Sequence, residues 1–100
     1  MNNNVNHPSH YNKSGRKECI LEMREKYGVF FTSVFCLLNT YKYLYRAGEK
    51  ECNSKEQDLG KALWYYNWVV NNAKGFSGKM ILKTRLFKDA KRMIVGGALS

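Results

Sequence analysis

Acidic residues are scarce in this chain. Its 100 residues hold eight Asp and Glu against seventeen Lys and Arg, a net charge of +9. That imbalance disfavours cationic partners and favours anionic ones: nucleotides, nucleic acids or acidic protein surfaces. Long apolar runs are missing too. No stretch approaches ~18 uninterrupted apolar residues, so no membrane-spanning helix is expected. The opening MNNNVNHPSHY has no apolar core of a secretory leader, so none is expected. Cysteine is limited to Cys19, Cys36 and Cys52, an odd number with no CxxC pair. This argues against a disulfide framework and for a reducing, cytosolic setting. A zinc site built from His7, His10 and two cysteines lacks finger-like spacing. Cys36 lies in an apolar run and reads as a small core residue.

Familiar catalytic fingerprints are absent as well. GFSGKM offers Gly-x-x-Gly-Lys, but a P-loop needs four residues between the glycines and Ser or Thr after the lysine. There is no GxSxG, no HExxH and no dinucleotide-binding glycine pattern.

What is present is helix-like. Hydrophobic residues at 44% and charged residues at 25% describe a globular domain. A chain this short builds only a small core, so self-association is expected to supplement it. Glycines at 15, 28, 48, 75, 78, 96 and 97 cut the chain into helix-sized pieces. The spacing predicts a first helix over 16–27, ended by Gly28, and a second over 30–46, ended by Gly48. The second repeats Phe31, Val34, Phe35, Leu38, Tyr41 and Tyr45 at i, i+3, i+4, i+7 steps. Asn53 or Ser54 is positioned to cap a third helix over 55–73. Leu86, Ala90, Met93 and Ile94 suggest a basic amphipathic fourth helix, although KMILKTRLF also suits a strand. The expected fold is all-α: three to four helices, an irregular N-terminal strap and a basic C-terminal element. Residues 1–74 form the helical domain and 75–100 a basic extension packed on or beside it. The expected core is Phe31, Val34, Phe35, Leu38, Leu59, Leu63, Tyr66 and Val70.

Polar stripes run beside the apolar ones. Asn39, Lys42, Tyr43 and Arg46 share a face of the second helix, and Asp58, Lys61 and Tyr65 one of the third. An amide, phenols and cations together suit an oxyanion or phosphate. A solvated edge snorkelling over the core is the plainer reading of the same spacing. Glu18 and Glu22 stand i, i+4 on the first helix. With Asp58 they offer oxygens for one Mg²⁺, or simply pair with lysines. GKALWYYNWVV could stack bases, but such a run more often serves core and oligomer interface, with Trp64 and Trp68 as the interface candidates.

Four blocks then come together: HPSHY at 7–11, ECI at 18–20 with Glu22 following, NTYKYLYRAGEK at 39–50 and DLGKALWYY at 58–66. Over about residues 5–70 they resemble a family of small phage proteins, mostly of unknown function. One coliphage member is a nucleotide kinase that lacks a Walker motif and phosphorylates deoxynucleoside monophosphates. Three departures stand out. Gly15 lies three residues ahead of Glu18, Tyr45 occupies a position usually held by tryptophan, and the tail from Gly75 is outside the pattern. The resemblance implies a nucleotide site made of Asn39, Lys42, Tyr43, Arg46, Lys50, Asp58, Lys61 and Tyr65, acting in the cytoplasm of an infected bacterium.

Pro8 holds its own φ and pushes His7 towards extended backbone, making a rigid strap. That strap could lay His10 and Tyr11 over the cationic face, or serve only to plug the core. His10, Lys42, Arg46 and Asp58 are the catalytic candidates, histidine being the side-chain type suited to proton transfer near neutral pH. His7, Tyr11, Asn39, Tyr43, Lys50, Lys61 and Tyr65 are the substrate-binding candidates; Glu18, Glu22 and Asp58 are the Mg²⁺ ligands. Helical pyrophosphohydrolases use similar materials, but their pairing of an ExxE with an ExxD is not found, since no ExxD occurs. The competing expectation is a non-enzymatic effector. It would bind nucleic acid or inhibit a host or defence protein through residues 79–92, where Lys79, Lys83, Arg85, Lys88, Lys91 and Arg92 face the single Asp89.

Overall fold

A computed structural model describes residues 18–49 and 54–99. Four helices make up the fold, with no strand among the described residues: α1 Cys19–Arg46, α2 Lys55–Asn72, α3 Gly75–Leu82 and α4 Arg85–Leu99. The fold is all-α, and the KMILKTRLF stretch is divided between α3 and α4 rather than extended. None of these helices is long and apolar enough to cross a membrane.

Local sequence explains the boundaries. α1 is two helices joined at a corner, where Gly28 takes φ 88 and ψ 169. That backbone is essentially closed to residues with a Cβ. Ser54 opens α2 with a capping box: its Oγ accepts from Gln57 N–H at 3.0 Å, and Gln57 Oε1 accepts from Ser54 N–H at 3.3 Å. Thr84 closes α3 and opens α4, donating to the Ile81 carbonyl at 2.7 Å and accepting from Phe87 N–H at 3.1 Å. Gly78 lets α3 lie against the end of α2, since a Cβ there would collide with the Ala73 carbonyl.

Ile20, Cys36, Leu37, Val69, Ile81 and Ala90 form one buried cluster drawn from all four helices, so the C-terminal pair shares the core of the first two. The molecule is a slab, 37 × 37 × 16 Å across its Cα atoms. With helices ~10 Å apart when packed, such a slab is about two layers thick, and every helix keeps a broad face outside.

The burial phase of α1 corrects the expected core. Phe31, Phe35 and Leu38 are exposed, as are Leu63 and Val70 on α2; Leu59, Val34 and Tyr66 are half-buried. What α1 buries is Thr32, Ser33, Cys36, Leu37 and Thr40, set against Ala62 and Val69 of α2. Small side chains allow helix backbones to approach closely, and interaxial distance depends on the residues at the contact. Thr40 ties the two helices directly. Its Oγ1 lies 3.1 Å from the Cys36 carbonyl and 3.3 Å from the Ala62 carbonyl across the interface.

Candidate functional site

The last turns of α1 run antiparallel to the first turns of α2, and the two polar stripes meet there. Tyr43 of α1 stacks on Tyr65 of α2, ring centroids 6.1 Å apart and planes 9° from parallel. Phe35 meets Tyr65 edge-on at 6.0 Å. Three cations gather round the Tyr43 ring: Lys42 Nζ at 4.7 Å, Arg46 Cζ at 5.0 Å and Lys61 Nζ at 5.4 Å from its centroid. An aromatic face attracts each of them. By geometry they also lie within about 10 Å of one another, roughly one Debye length, so they repel.

Among the described residues Asp58 is the carboxylate that pairs with this cluster. Asp58 is fully buried, and its Oδ1 stands 3.6 Å from Arg46 Nε. Neither Asp58 oxygen has a hydrogen-bond partner among the described residues. A buried carboxylate needs its counter-ion, so Arg46 is structural as well as cationic. This changes the test of the site: truncating Arg46 disturbs folding and binding together. Lys42 and Lys61 have no acidic partner among the described residues.

The other expected ligands fall elsewhere. Asn39 is half-buried on the face of Lys42 and Tyr43. Glu18 is buried at the start of α1. Glu22 is half exposed and pairs with Lys26 at 3.0 Å, which raises the lysine's pKa by hydrogen bonding and charge. Among the described residues no three His, Cys, Asp or Glu side chains gather into a metal-holding group. Of the three expected Mg²⁺ ligands, Glu18 and Glu22 stand at the start of α1 and Asp58 stands in the first turn of α2 beside Arg46. His7, His10, Tyr11 and Lys50 lie outside the described residues.

Trp64 and Trp68 pack partly against the core and line a groove of about 510 Å³ with Gly60, Leu63, Asn67, Asn71 and Asn72. The link between Arg24 Nη1 and Asn72 Oδ1, 2.7 Å, fastens the first half of α1 to the end of α2. Sequence reasoning missed this contact, and also Thr40 as the bolt between helices. The small-residue row Ser33, Cys36 and Thr40, at 3–4 residue steps, was the available signal.

The fold and this cluster define a small all-α protein whose two main helices present a tyrosine pair ringed by cations. The chain belongs to the DUF3310 family, a protein family of unknown function, whose model matches residues 5–67. The match takes in α1, most of α2 and the whole cation cluster, and leaves α3 and α4 outside. Searches among curated proteins and among solved structures return no similar chain.

Proposed function

We propose that the cluster around Tyr43 binds the phosphates of a nucleotide, and that the protein transfers a phosphoryl group to deoxynucleoside monophosphates without a P-loop, in the cytoplasm of a phage-infected bacterium. The observation that carries this reading is the convergence of Lys42, Arg46 and Lys61 on one ring, with Asp58 held against Arg46. A polyanion in their midst turns mutual repulsion into attraction. Tyr43 and Tyr65 supply flat apolar surface of the kind on which a base stacks.

In this reading an acceptor phosphate oxygen attacks the terminal phosphorus of a nucleoside triphosphate. The bond from that phosphorus to the bridging oxygen breaks, and the diphosphate leaves with the electron pair. Phosphoryl transfer is mostly positioning and charge stabilisation, which is work for lysine and arginine. Asp58, held by Arg46, orients the guanidinium. Mg²⁺ is assigned no carboxylate set on the protein and no step, because the donor phosphates can carry it. His10 and Tyr11, with His7 and Lys50, would complete the site.

Calorimetric titration with a deoxynucleoside monophosphate and with ATP, each with and without Mg²⁺, tests the binding. Lys42→Ala and Lys61→Ala should each weaken it by about 1.5–3 kcal/mol while keeping the melting temperature. Two folded variants that bind as the parent does would sink the site. His10→Ala should lower turnover more than affinity if it moves a proton.

A second reading rests on α4. Arg85 and Arg92 are 91% and 73% exposed, each tied to Asp89, and Lys88 and Lys91 are exposed beside them. That surface suits polyanions, and would serve a non-enzymatic effector of nucleic acid or of a host protein. Steep weakening of DNA binding by salt, lost on deleting residues 79–92, would favour it.

A further inference from the structure

The apolar stripe of α1 is real but is only partly spent inside the chain, where Val34 packs against the core and Phe35 meets Tyr65. Phe31, Leu38 and Tyr45 stand seven residues apart, with Val34 and Tyr41 between them. This is the a/d spacing of a helix seam, two heptads or about 21 Å long. Phe31 is 67% exposed, Leu38 54%, Tyr41 47% and Tyr45 72%, with Phe35 alongside at 41%. Tyr41 and Tyr45 already stack on one another, centroids 6.3 Å apart.

We propose that this face is an interface between two copies of the chain, paired antiparallel about a two-fold axis at Leu38. Three observations select a second copy as the occupant. First, the stripe is symmetric about its centre: Phe31 and Tyr45 lie seven residues to either side of Leu38, and Val34 and Tyr41 four and three. An isologous contact therefore sets Leu38 against Leu38, Phe31 against Tyr45 and Val34 near Tyr41. Second, no charged residue occurs from Val29 to Tyr41, so the centre of the contact is free of like charges, and Lys42 enters only towards its ends, opposite Val34 of the other copy. An acidic partner finds nothing on this stretch to recognise. Third, the area suffices. Large side chains of this kind bury 150–250 Å² each, so the exposed part of the five offers roughly 500–600 Å² per copy. Full burial of that area on both copies removes about 1,000–1,200 Å² in total, at the threshold for a specific interface.

Sedimentation equilibrium on the full chain tests this. The parent should be a dimer at tens of micromolar, and Leu38→Glu should raise the dissociation constant roughly a hundredfold or more. The helical circular dichroism should be kept, because Leu38 is exposed in the single copy. Leu38→Cys, in a chain with Cys19→Ser and Cys52→Ser, should form a disulfide with its own copy in a glutathione buffer. That result decides the matter even if the glutamate variant folds poorly. A parent that remains monomeric at several hundred micromolar, whatever covers the stripe, overturns the proposal. So does a dimer that survives Leu38→Glu but is lost with Leu63→Glu, which would move the interface to the Trp64–Trp68 groove.

Discussion

The two faces of α1 after Gly28 reverse the usual order of inside and outside. The inward face carries Thr32, Ser33, Cys36 and Thr40 beside Leu37; the outward face carries Phe31, Phe35, Leu38, Tyr41 and Tyr45. The hydrophobic effect alone would turn the helix over, since each large side chain hidden from water is worth ~1.5–3 kcal/mol. Close approach to α2 is what the small residues permit, and the Thr40 contact with the Ala62 carbonyl and the Asp58–Arg46 pair exist only in this orientation. Bulk on a helix thus marks surface that must be covered. It does not say by what.

The strongest test removes the polar anchor of the inward orientation. Arg46→Ala leaves Asp58 buried without its counter-ion and should cost about 3–5 kcal/mol in urea denaturation. Replacing both residues by apolar ones of similar volume should return most of the loss. The two leucines come next. Leu37→Ala should cost about 2–5 kcal/mol, whereas Leu38→Ala should cost under about 1 kcal/mol in dilute solution, where copies are apart. A larger cost at Leu38 than at Leu37 would mean that the faces are reversed.

Alkali probes the inward face more gently. Burial pushes the Cys36 thiol up to about 12 from its ordinary 9.0, and burial also raises Tyr66. Between those values the unfolded chain has released the thiol proton and the folded chain retains it. Stability is therefore intact below pH 9.0 and falls as pH rises towards about 12. Thermal melts across that window should show the decline, and Cys36→Ala should flatten it. At pH 8, iodoacetamide should label exposed Cys19 and spare Cys36. The smallest effect concerns the hydroxyls of Thr32 and Ser33, which are buried with no hydrogen-bond partner among the described residues. Thr32→Val should be neutral or stabilising by up to about 1 kcal/mol, because it removes an unsatisfied group without changing shape.

Much of this molecule was legible in advance. Gly28 and Ser54 mark their boundaries by chemistry that acts within a few residues. The cation cluster was legible because helical spacing places Lys42, Tyr43 and Arg46 on one face and Asp58, Lys61 and Tyr65 on another. Their meeting needed only antiparallel helices. The core was not legible in the same way. Periodicity shows that Phe31, Leu38 and Tyr45 form a stripe, but does not show that the stripe faces away from α2. The stack of Tyr43 on Tyr65 and the bond from Arg24 to Asn72 likewise join residues far apart in sequence, which no local pattern encodes.

The corner at Gly28 also has a handedness. Reflected in a mirror, its backbone becomes ordinary extended chain, which an L residue adopts freely. The position is therefore suited to a residue of the opposite chirality. The space where an L side chain would begin is open, so the obstacle to L-alanine is the backbone twist and not a neighbour. A chain assembled from two synthetic pieces joined at Cys36, with D-alanine at position 28, keeps the corner and removes the freedom glycine gives the unfolded state, a gain of about 0.4–1 kcal/mol. L-alanine at the same place bends the corner the wrong way. The enantiomer of one methyl group thus sets whether Arg24 reaches Asn72.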